Sequence, residues 1–438
     1  MRLLLFFTLI FSIGVSWGQS NYDTLTFFQY NLGRYNTPQT NCTVISLTEK
    51  NRYLDTIFSN ILPDVIMVQE MANELASAEL LLKKALNHEK RDYYKSASFT
   101  ASAADLNNML YYNGNKLKLL SQRLISCVPR QVNVYTLQHL NTNVVFTIIV
   151  AHLKSSQTNN DILQRSVCAQ AIMNFLQSNF TSTANIFVAG DFNIYSTEED
   201  AYKVFTTYEN PVINLYDPVY VNLKWNESDN KYVYESENTA VPKGVFNNQE
   251  LAMFHTQSPL MLQKNCLVGG GLDDRFDYIL FNRTVLDDSL GINFIPGSYQ
   301  VVGNDGLHFN KALDDGENNS VSPELLNALV NNSDHLPVVA KFRFRNLLSV
   351  PTAGVVSDCE IKLMNQDKLS LSLHNGCETI HEKEVIIQII DMQGRIILDG
   401  SNKASDAVLK LPSLSNGIYL VKVINKNKVF AKKIAVLN

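Results

Sequence analysis

Apolar side chains recur along this chain in two rhythms. Runs of β-branched and aromatic residues bounded by polar ones read as strands, and apolar positions every three or four residues read as helices. The sharpest run is Asn185-Ile-Phe-Val-Ala-Gly-Asp-Phe-Asn193. Ile186, Phe187 and Val188 predict a buried strand, and Gly190 frees the backbone to bend. Asp191 and Asn193, two apart in extended chain, share one face. A carboxylate and an amide aimed together from a strand end suit an attacking water. Taken alone, they fit an Asx turn equally well.

Similar alternation fills most of the chain. Strands are expected over 25–30, 64–70, 108–112, 116–121, 131–138, 143–152, 275–281 and 335–344, and helices over 46–60, 74–87 and 161–179. Two stretches rich in Asn, Gly, Asp and Tyr, 208–271 and 297–332, read as loops. Loops of that length in a compact domain usually serve function. Around residue 349 the composition shifts. The expected organisation is a first domain over 22–345, a linker over 346–358 and a small β-sandwich over 359–438. The last has short strands and turn sequences at 391–394 and 415–417.

A length of 438 residues suits two or three domains. The 45% hydrophobic and 18% charged composition is that of a globular protein. A net charge of −5 argues against a broad electrostatic grip on nucleic acid, but leaves room for phosphodiester chemistry assisted by bound cations. Met1-Arg2, the apolar run Leu3 to Val15 and Ser16-Trp17-Gly18 make residues 1–18 a secretory signal peptide. No later stretch approaches the ~20 apolar residues of a spanning helix, so the mature chain is expected to be exported, without a transmembrane segment, and monomeric. Among the six cysteines, Cys359 and Cys377 are the favoured disulfide pair, and Cys168, in a helical pattern, reads as a buried free thiol.

Polar groups suited to metal binding and proton transfer stand repeatedly at or beside the expected strands: Asn31, Glu70 and His152 end strands, Asp191 and Asn193 follow one, Asp277 lies within 275–281, and the pair Asp334 and His335 introduces the last. Each alone has a plain structural explanation. His152 could be a satisfied core histidine, Glu70 a surface carboxylate and Asp277 a salt-bridge partner. In order, Gln-Tyr-Asn31, Val-Gln-Glu70, Ala-His152-Leu, Gly-Asp191-Phe-Asn193, Phe-Asp277-Tyr-Ile and Ser-Asp334-His335-Leu-Pro resemble the blocks of the endonuclease/exonuclease/phosphatase superfamily. The resemblance implies an α+β fold, a four-layer αββα sandwich of the deoxyribonuclease-I-like kind, with its site at one edge of two packed sheets. It also implies roles. Asn31 and Glu70 would hold Mg²⁺, with Mn²⁺ or Ca²⁺ as alternatives. Asp191 would activate the attacking water and Asn193 hold it, while His335, oriented by Asp277, would donate to a phosphate oxygen. His152 would contact phosphate or protonate the leaving oxygen, and Asp334 would bind a second cation or align the centre.

The sequence departs from the family in two places. Gly33 stands where repair nucleases of the family often carry an acid, and the glutamate that orients the first histidine in deoxyribonuclease I has no match here. Three further clusters, 255–258, 269–275 and 303–308, are candidates for the cleft lining, with Arg275 a candidate phosphate contact. Asp334 and His335 are neighbours, so both serve one site only if the backbone there leaves the strand.

The tail carries Asp391-Met-Gln-Gly-Arg395, Leu414-Ser-Asn-Gly417-Ile-Tyr-Leu-Val-Lys-Val423 and Lys432-Lys-Ile-Ala-Val-Leu-Asn438. These resemble the C-terminal sorting domain of the type IX secretion system, which implies that machinery as a partner and a secreted or cell-surface location. An adhesion or carbohydrate-binding sandwich is the structural alternative. The resulting expectation is a metal-dependent phosphodiesterase acting on nucleic acid. A phosphatase or phosphodiesterase on inositol phosphates or phospholipid headgroups is the alternative, and a non-catalytic surface binding protein a third.

Overall fold

The computed structural model describes residues 22–346 apart from 40, 103, 181–183 and 228–229, and, in the tail, 359–365, 368–373, 384–391, 396–403, 408–410, 414–415, 417–425 and 428–436. The signal peptide, linker residues 347–358 and Cys377 lie outside these residues.

Two sheets form the centre of the first part. One has the strand order Ile292–Phe294, Val338–Arg345, Tyr22–Tyr35, Val65–Ala72, Leu106–Asn113, Tyr94–Ser96, with Gln300–Val301 also on Val338–Arg345. The other runs Leu117–Ile125, Val132–His139, Val145–His152, Asn185–Asp191, Asp277–Asn282, Leu215–Tyr216. Each sheet is built on one parallel pair. Tyr22–Tyr35 is parallel to Val65–Ala72, and Asn185–Asp191 to Val145–His152, each with an antiparallel strand on its other side.

Alternation along Tyr22–Tyr35 explains how the layers stack. Phe27 faces the second sheet, with ring centroids 4.8 Å from Phe187 and 5.7 Å from Phe146, and meets Phe342 of its own sheet at 4.7 Å. Phe28 points the other way, onto Phe58 of the helix Leu47–Ile61 at 5.5 Å. That helix packs against the helix Pro323–Asn332 on the outer side of the first sheet, while Asn159–Asn179 and Asp200–Thr206 pack together on the second. The result is the expected four-layer αββα sandwich, with a phenylalanine core between its sheets.

Several boundaries differ from expectation. The helix expected over 74–87 is Leu75–Leu81 followed by a wider π-turn, Leu82–Leu86. The supposed loop 208–271 contains a hairpin, Val221–Asn226 with Lys231–Glu237, in which Trp225 pairs with Tyr232. Alternating polar and aromatic residues there build a sheet despite the Asn-rich turn. The supposed loop 297–332 ends in the helix Pro323–Asn332: Ser322 caps it, Pro323 opens it, and Leu325, Ala328 and Leu329 are its buried face. Cys168 is not free but bonded to Cys127, and Cys42 is bonded to Cys266. Both links join segments distant in sequence, so spacing gives no sign of them. In the tail, strands form a three-stranded and a four-stranded sheet, including Cys359–Asn365, which the pattern does not predict.

Gly190 locks the second sheet's parallel pair. Its φ is +150°, and a Cβ there would lie 1.8 Å from the carbonyl oxygen of Ala151 on the neighbouring strand. Gly190→Ala is expected to lose about 3 kcal/mol or more of stability, read by denaturant unfolding, because strained φ and a backbone clash act together. An unchanged midpoint would contradict this close packing.

Candidate active site

At one edge of the sandwich the inter-sheet face turns from apolar to polar. Three strands of the second sheet end level there. His152 pairs with Asp191, and Asp191 with Asp277, across the ladder, so the three side chains stand abreast. His152 Nε2 lies 3.4 Å from Asp191 Oδ2. Opposite them, Gln29 and Asn31 continue the face that Phe27 begins. Asn31 Nδ2 donates to Asp191 Oδ2 at 2.9 Å, and Gln29 Nε2 to Asp277 Oδ1 at 3.3 Å. The other oxygen of Asp191 accepts from the backbone N–H of Asn193 at 3.1 Å and from its side-chain amide at 2.9 Å. Asn193 is left-handed, at φ +50°, which folds its amide back onto the carboxylate.

Glu70 reaches the same place by breaking strand parity. Gln69, its neighbour, exchanges side-chain hydrogen bonds with Gln29. Glu70 itself has φ +57° and sits where the register slips between Val68 and Met71. The bulge re-aims its carboxylate to the centre. Oε2 accepts from the Arg34 N–H at 3.1 Å, and Oε1 is 3.9 Å from His152 Nε2.

His335 closes the cluster. Residues 333–337 lie outside the strand that follows, so Asp334 and His335 are free of strand alternation. His335 Nδ1 meets Asp277 Oδ2 at 2.7 Å, while Nε2 lies 3.8 Å from Asp191 Oδ2 and 2.9 Å from the Gln257 amide. Asp334 turns aside and accepts from Val268 N at 3.0 Å. The structure therefore gathers Asn31, Glu70, His152, Asp191, Asn193, Asp277 and His335 at one point, with Asp334 at its rim. Gly33 has φ +55°, and a Cβ there would lie 2.9 Å from Ser333 Oγ and 3.2 Å from Asp334 Oδ1, so a side chain at that position would press on both.

Charge follows from burial. Desolvation opposes protonation of His335, but Asp277 and Asp191 outweigh it and push its pKa up to about 10, making it an imidazolium at neutral pH. With both ring nitrogens protonated, Gln257 must offer its amide oxygen to Nε2. Burial raises Asp191 to about 7, partly offset by His335. His152 is held well below its ordinary value by burial, then by Arg130, His335 and Arg34, so it is neutral. Its Nδ1 is buried without a hydrogen-bond partner, consistent with the missing orienting glutamate. Burial and the nearby Asp334 raise Glu70.

The residues fit a small hard cation. Among the described residues, no three His, Cys, Asp or Glu side chains converge as a ready-made cage. A cation held by only one or two protein oxygens would complete its shell with water and substrate phosphate, as Mg²⁺ does. Glu70 supplies a carboxylate with no cation of the protein within ion-pair distance except neutral His152, among the described residues. Asn31 Oδ1 accepts only the Gly33 N–H and keeps a lone pair.

Sequence reasoning missed Gln29, Gln69, Arg34 and Arg130. The two glutamines share the inward parity of Asn31, which could have revealed them. Arg130 sits on a loop and donates to the Leu153 carbonyl at 3.3 Å, directly after His152. Two candidates fall away. Arg275 is fully buried, bidentate to Asp217 at 2.7 and 2.8 Å and stacked 4.4 Å over Tyr278, so it meets no phosphate. His255 is buried with its ring nitrogens on the Phe246 and Leu272 carbonyls.

Fold and site together define a two-sheet sandwich with a carboxylate–histidine–amide centre at its edge. Residues 365–437 match the family described as the secretion system C-terminal sorting domain, so the tail directs the protein to secretion or the cell surface, as expected. No curated protein matches the chain. Among solved structures, the chain is similar to the human Nocturnin catalytic domain with bound sulfate (16% identity, 74% of this chain and 98% of that one, TM-score 0.41). It is also similar to D. rerio TDP2 complexed with single-strand DNA product (14%, 73% and 98%, TM-score 0.43) and to an endonuclease/exonuclease/phosphatase from Bacteroides vulgatus (14%, 74% and 100%, TM-score 0.44).

Arg275→Met would strand Asp217 as a buried, uncompensated charge. Stability should fall by about 3–5 kcal/mol in denaturant unfolding, while turnover per folded molecule is unchanged. A loss of turnover without a loss of stability would return Arg275 to the site.

Proposed function

We propose that this protein is an exported phosphoric-ester hydrolase dependent on a divalent cation, a phosphodiesterase whose substrate is nucleic acid. The observation that carries the reading is the line Asp277–His335–Asp191, which places an imidazolium beside a carboxylate of raised pKa. The six ordered sequence blocks support it further.

Asp191 is the base. Its carboxylate is fixed from three sides, by Asn31 and by both N–H groups of Asn193, so it offers a set direction to an incoming water. As the water oxygen bonds to phosphorus and the ester bond breaks, Asp191 takes the water's proton. His335, held charged by Asp277, donates to a phosphate oxygen whose negative charge grows. Neutral His152 sits 3.4 Å from Asp191 and is placed to contact the phosphate or the leaving oxygen. A bound Mg²⁺ at Glu70 and Asn31 would polarise the phosphoryl group and offset its charge. Arg34 and Arg130 flank this side and suit the neighbouring phosphates of a polyanion.

One observation favours a second reading, a phospholipid headgroup. Met261, Leu262 and Val268 are 51%, 80% and 54% exposed on the loop whose Val268 N–H bonds to Asp334. An apolar rim of this kind suits an amphiphilic substrate.

Plasmid DNA, RNA and phospholipid vesicles, each incubated with Mg²⁺ with and without chelator, separate the readings. Cleavage of nucleic acid that stops with chelator is expected; cleavage of vesicles alone would favour the second reading, and chelator-resistant cleavage would contradict the cation's role. Asp191→Asn and His335→Ala should each lower kcat per folded molecule by about 10²–10⁴-fold, since both act on the reacting groups, and His335→Ala should also lower the unfolding midpoint because it strands the buried Asp277. Activity near that of the unaltered protein in either variant would remove that residue from the mechanism.

A further inference from the structure

The part of Tyr22–Tyr35 that carries Asn31 and the turn that carries Asp334 and His335 lie some three hundred residues apart in sequence, with a separation of 302 for two of their direct contacts. Three side chains join them. Asn332 Nδ2 donates to Tyr30 Oη at 2.9 Å. Ser333 Oγ donates to the Asn31 carbonyl at 2.8 Å and accepts the His335 N–H at 3.1 Å. The third is Lys50, which reaches in from the helix Leu47–Ile61. Its Nζ donates to the Gly33 carbonyl at 2.8 Å and to the Asn332 carbonyl at 2.6 Å.

Lys50 is out of place by ordinary rules. It is only 4% exposed, and among the described residues no carboxylate lies within ion-pair distance of its ammonium. Lysines are almost never so buried unless paired. Its partners are two neutral carbonyls, one two residues after Asn31 and the other two before Asp334. Two carbonyl oxygens turned toward one point repel each other, and a cation with several donors is the group that lets them converge. Burial lowers the Lys50 pKa to about 8, with Asp334 and Glu70 working against that, so the ammonium is still charged at neutral pH.

We propose that Lys50 is a positioning residue of the catalytic centre, a clamp that fixes the spacing between Asn31 on one segment and Asp334 and His335 on the other. The inference rests on the reading of the centre given above. It assigns Lys50 no contact with substrate or cation; it acts through the backbone of the groups that make those contacts. A lysine serving general stability alone would hold the helix to the sheet without affecting the geometry of these two segments in particular.

Lys50→Met keeps the aliphatic stem and removes the donors, and Lys50→Arg retains charge and donors. Hydrogen exchange of the metal-free protein reads the clamp directly. In Lys50→Met, amides in 31–34 and 333–336 should exchange about tenfold faster while those of 186–189 keep their protection. Mn²⁺ affinity by calorimetry should fall about 10–100-fold, as it does when groups supporting a ligand are lost. Turnover should fall chiefly in kcat, with KM nearly unchanged, and Lys50→Arg should recover part of each effect. Unchanged local exchange and Mn²⁺ affinity in Lys50→Met would overturn the proposal. So would faster exchange throughout the molecule, or failure of both variants to fold, since either assigns Lys50 to general stability. If the unaltered protein binds no Mn²⁺ and cleaves nothing, yet Lys50→Met loosens only these two segments, the clamp stands and the assigned chemistry falls.

Discussion

Where the phenylalanine core between the two sheets stops, Asp277 and His335 take over. Asp277 opens a strand of one sheet and His335 lies on the turn that leads into a strand of the other, and their 2.7 Å contact is the point at which burial becomes chemistry. A carboxylate and an imidazole left alone at that depth would both be neutral. Beside Asp277 the His335 ring stays charged, and its positive edge is turned toward Asp191. Gln29 holds the remaining oxygen of Asp277, and Gln69 in turn holds Gln29. The charge pair is thus embedded in a fully buried polar chain that leaves it little room to rotate.

The rest of the centre depends on geometry that regular strands cannot supply. His152, Asp191 and Asp277 stand abreast because three strands end in register. Glu70 and Asn193 join them only through left-handed backbone, at φ +57° and +50°. Such conformations cost about 1–3 kcal/mol each and persist where the surrounding structure enforces them. Here the Arg34 N–H holds the Glu70 carboxylate, and Asp191 Oδ1 accepts both N–H groups of Asn193. Local strain at Glu70 is the cost of bringing a carboxylate to the side where Asn31 already points.

Much of this was legible in the sequence, for one reason. A buried strand is an apolar run in which a polar residue stands out, so the order of Asn31, His152, Asp191 and Asp277 along the chain, rather than any one of them, marked the site. Other features were hidden because they depend on the backbone or on distant partners. Parity puts Glu70 on the wrong face until the bulge is known. Arg275 looks like a phosphate ligand beside a glycine-rich run until Asp217, far back in sequence, is found against it. The disulfides of Cys42 and Cys168 join segments that no spacing rule connects, and the helix Pro323–Asn332 lay concealed in an asparagine-rich stretch despite its Ser322 cap. Lys50 is the extreme case: it stands on the buried stripe of its helix with Leu54, Ile57 and Phe58, but a lysine there reads as a break in the apolar pattern until its two carbonyl partners are seen.

We propose that the two sheets converge to build one cation-assisted phosphoester centre at Glu70 and Asn31. Anomalous diffraction from crystals soaked in Mn²⁺ tests it most directly. A single strong peak bonded to the Glu70 carboxylate and adjoining Asn31 Oδ1 is the result the account predicts. Full occupancy at some other place, with nothing beside Glu70, would contradict it.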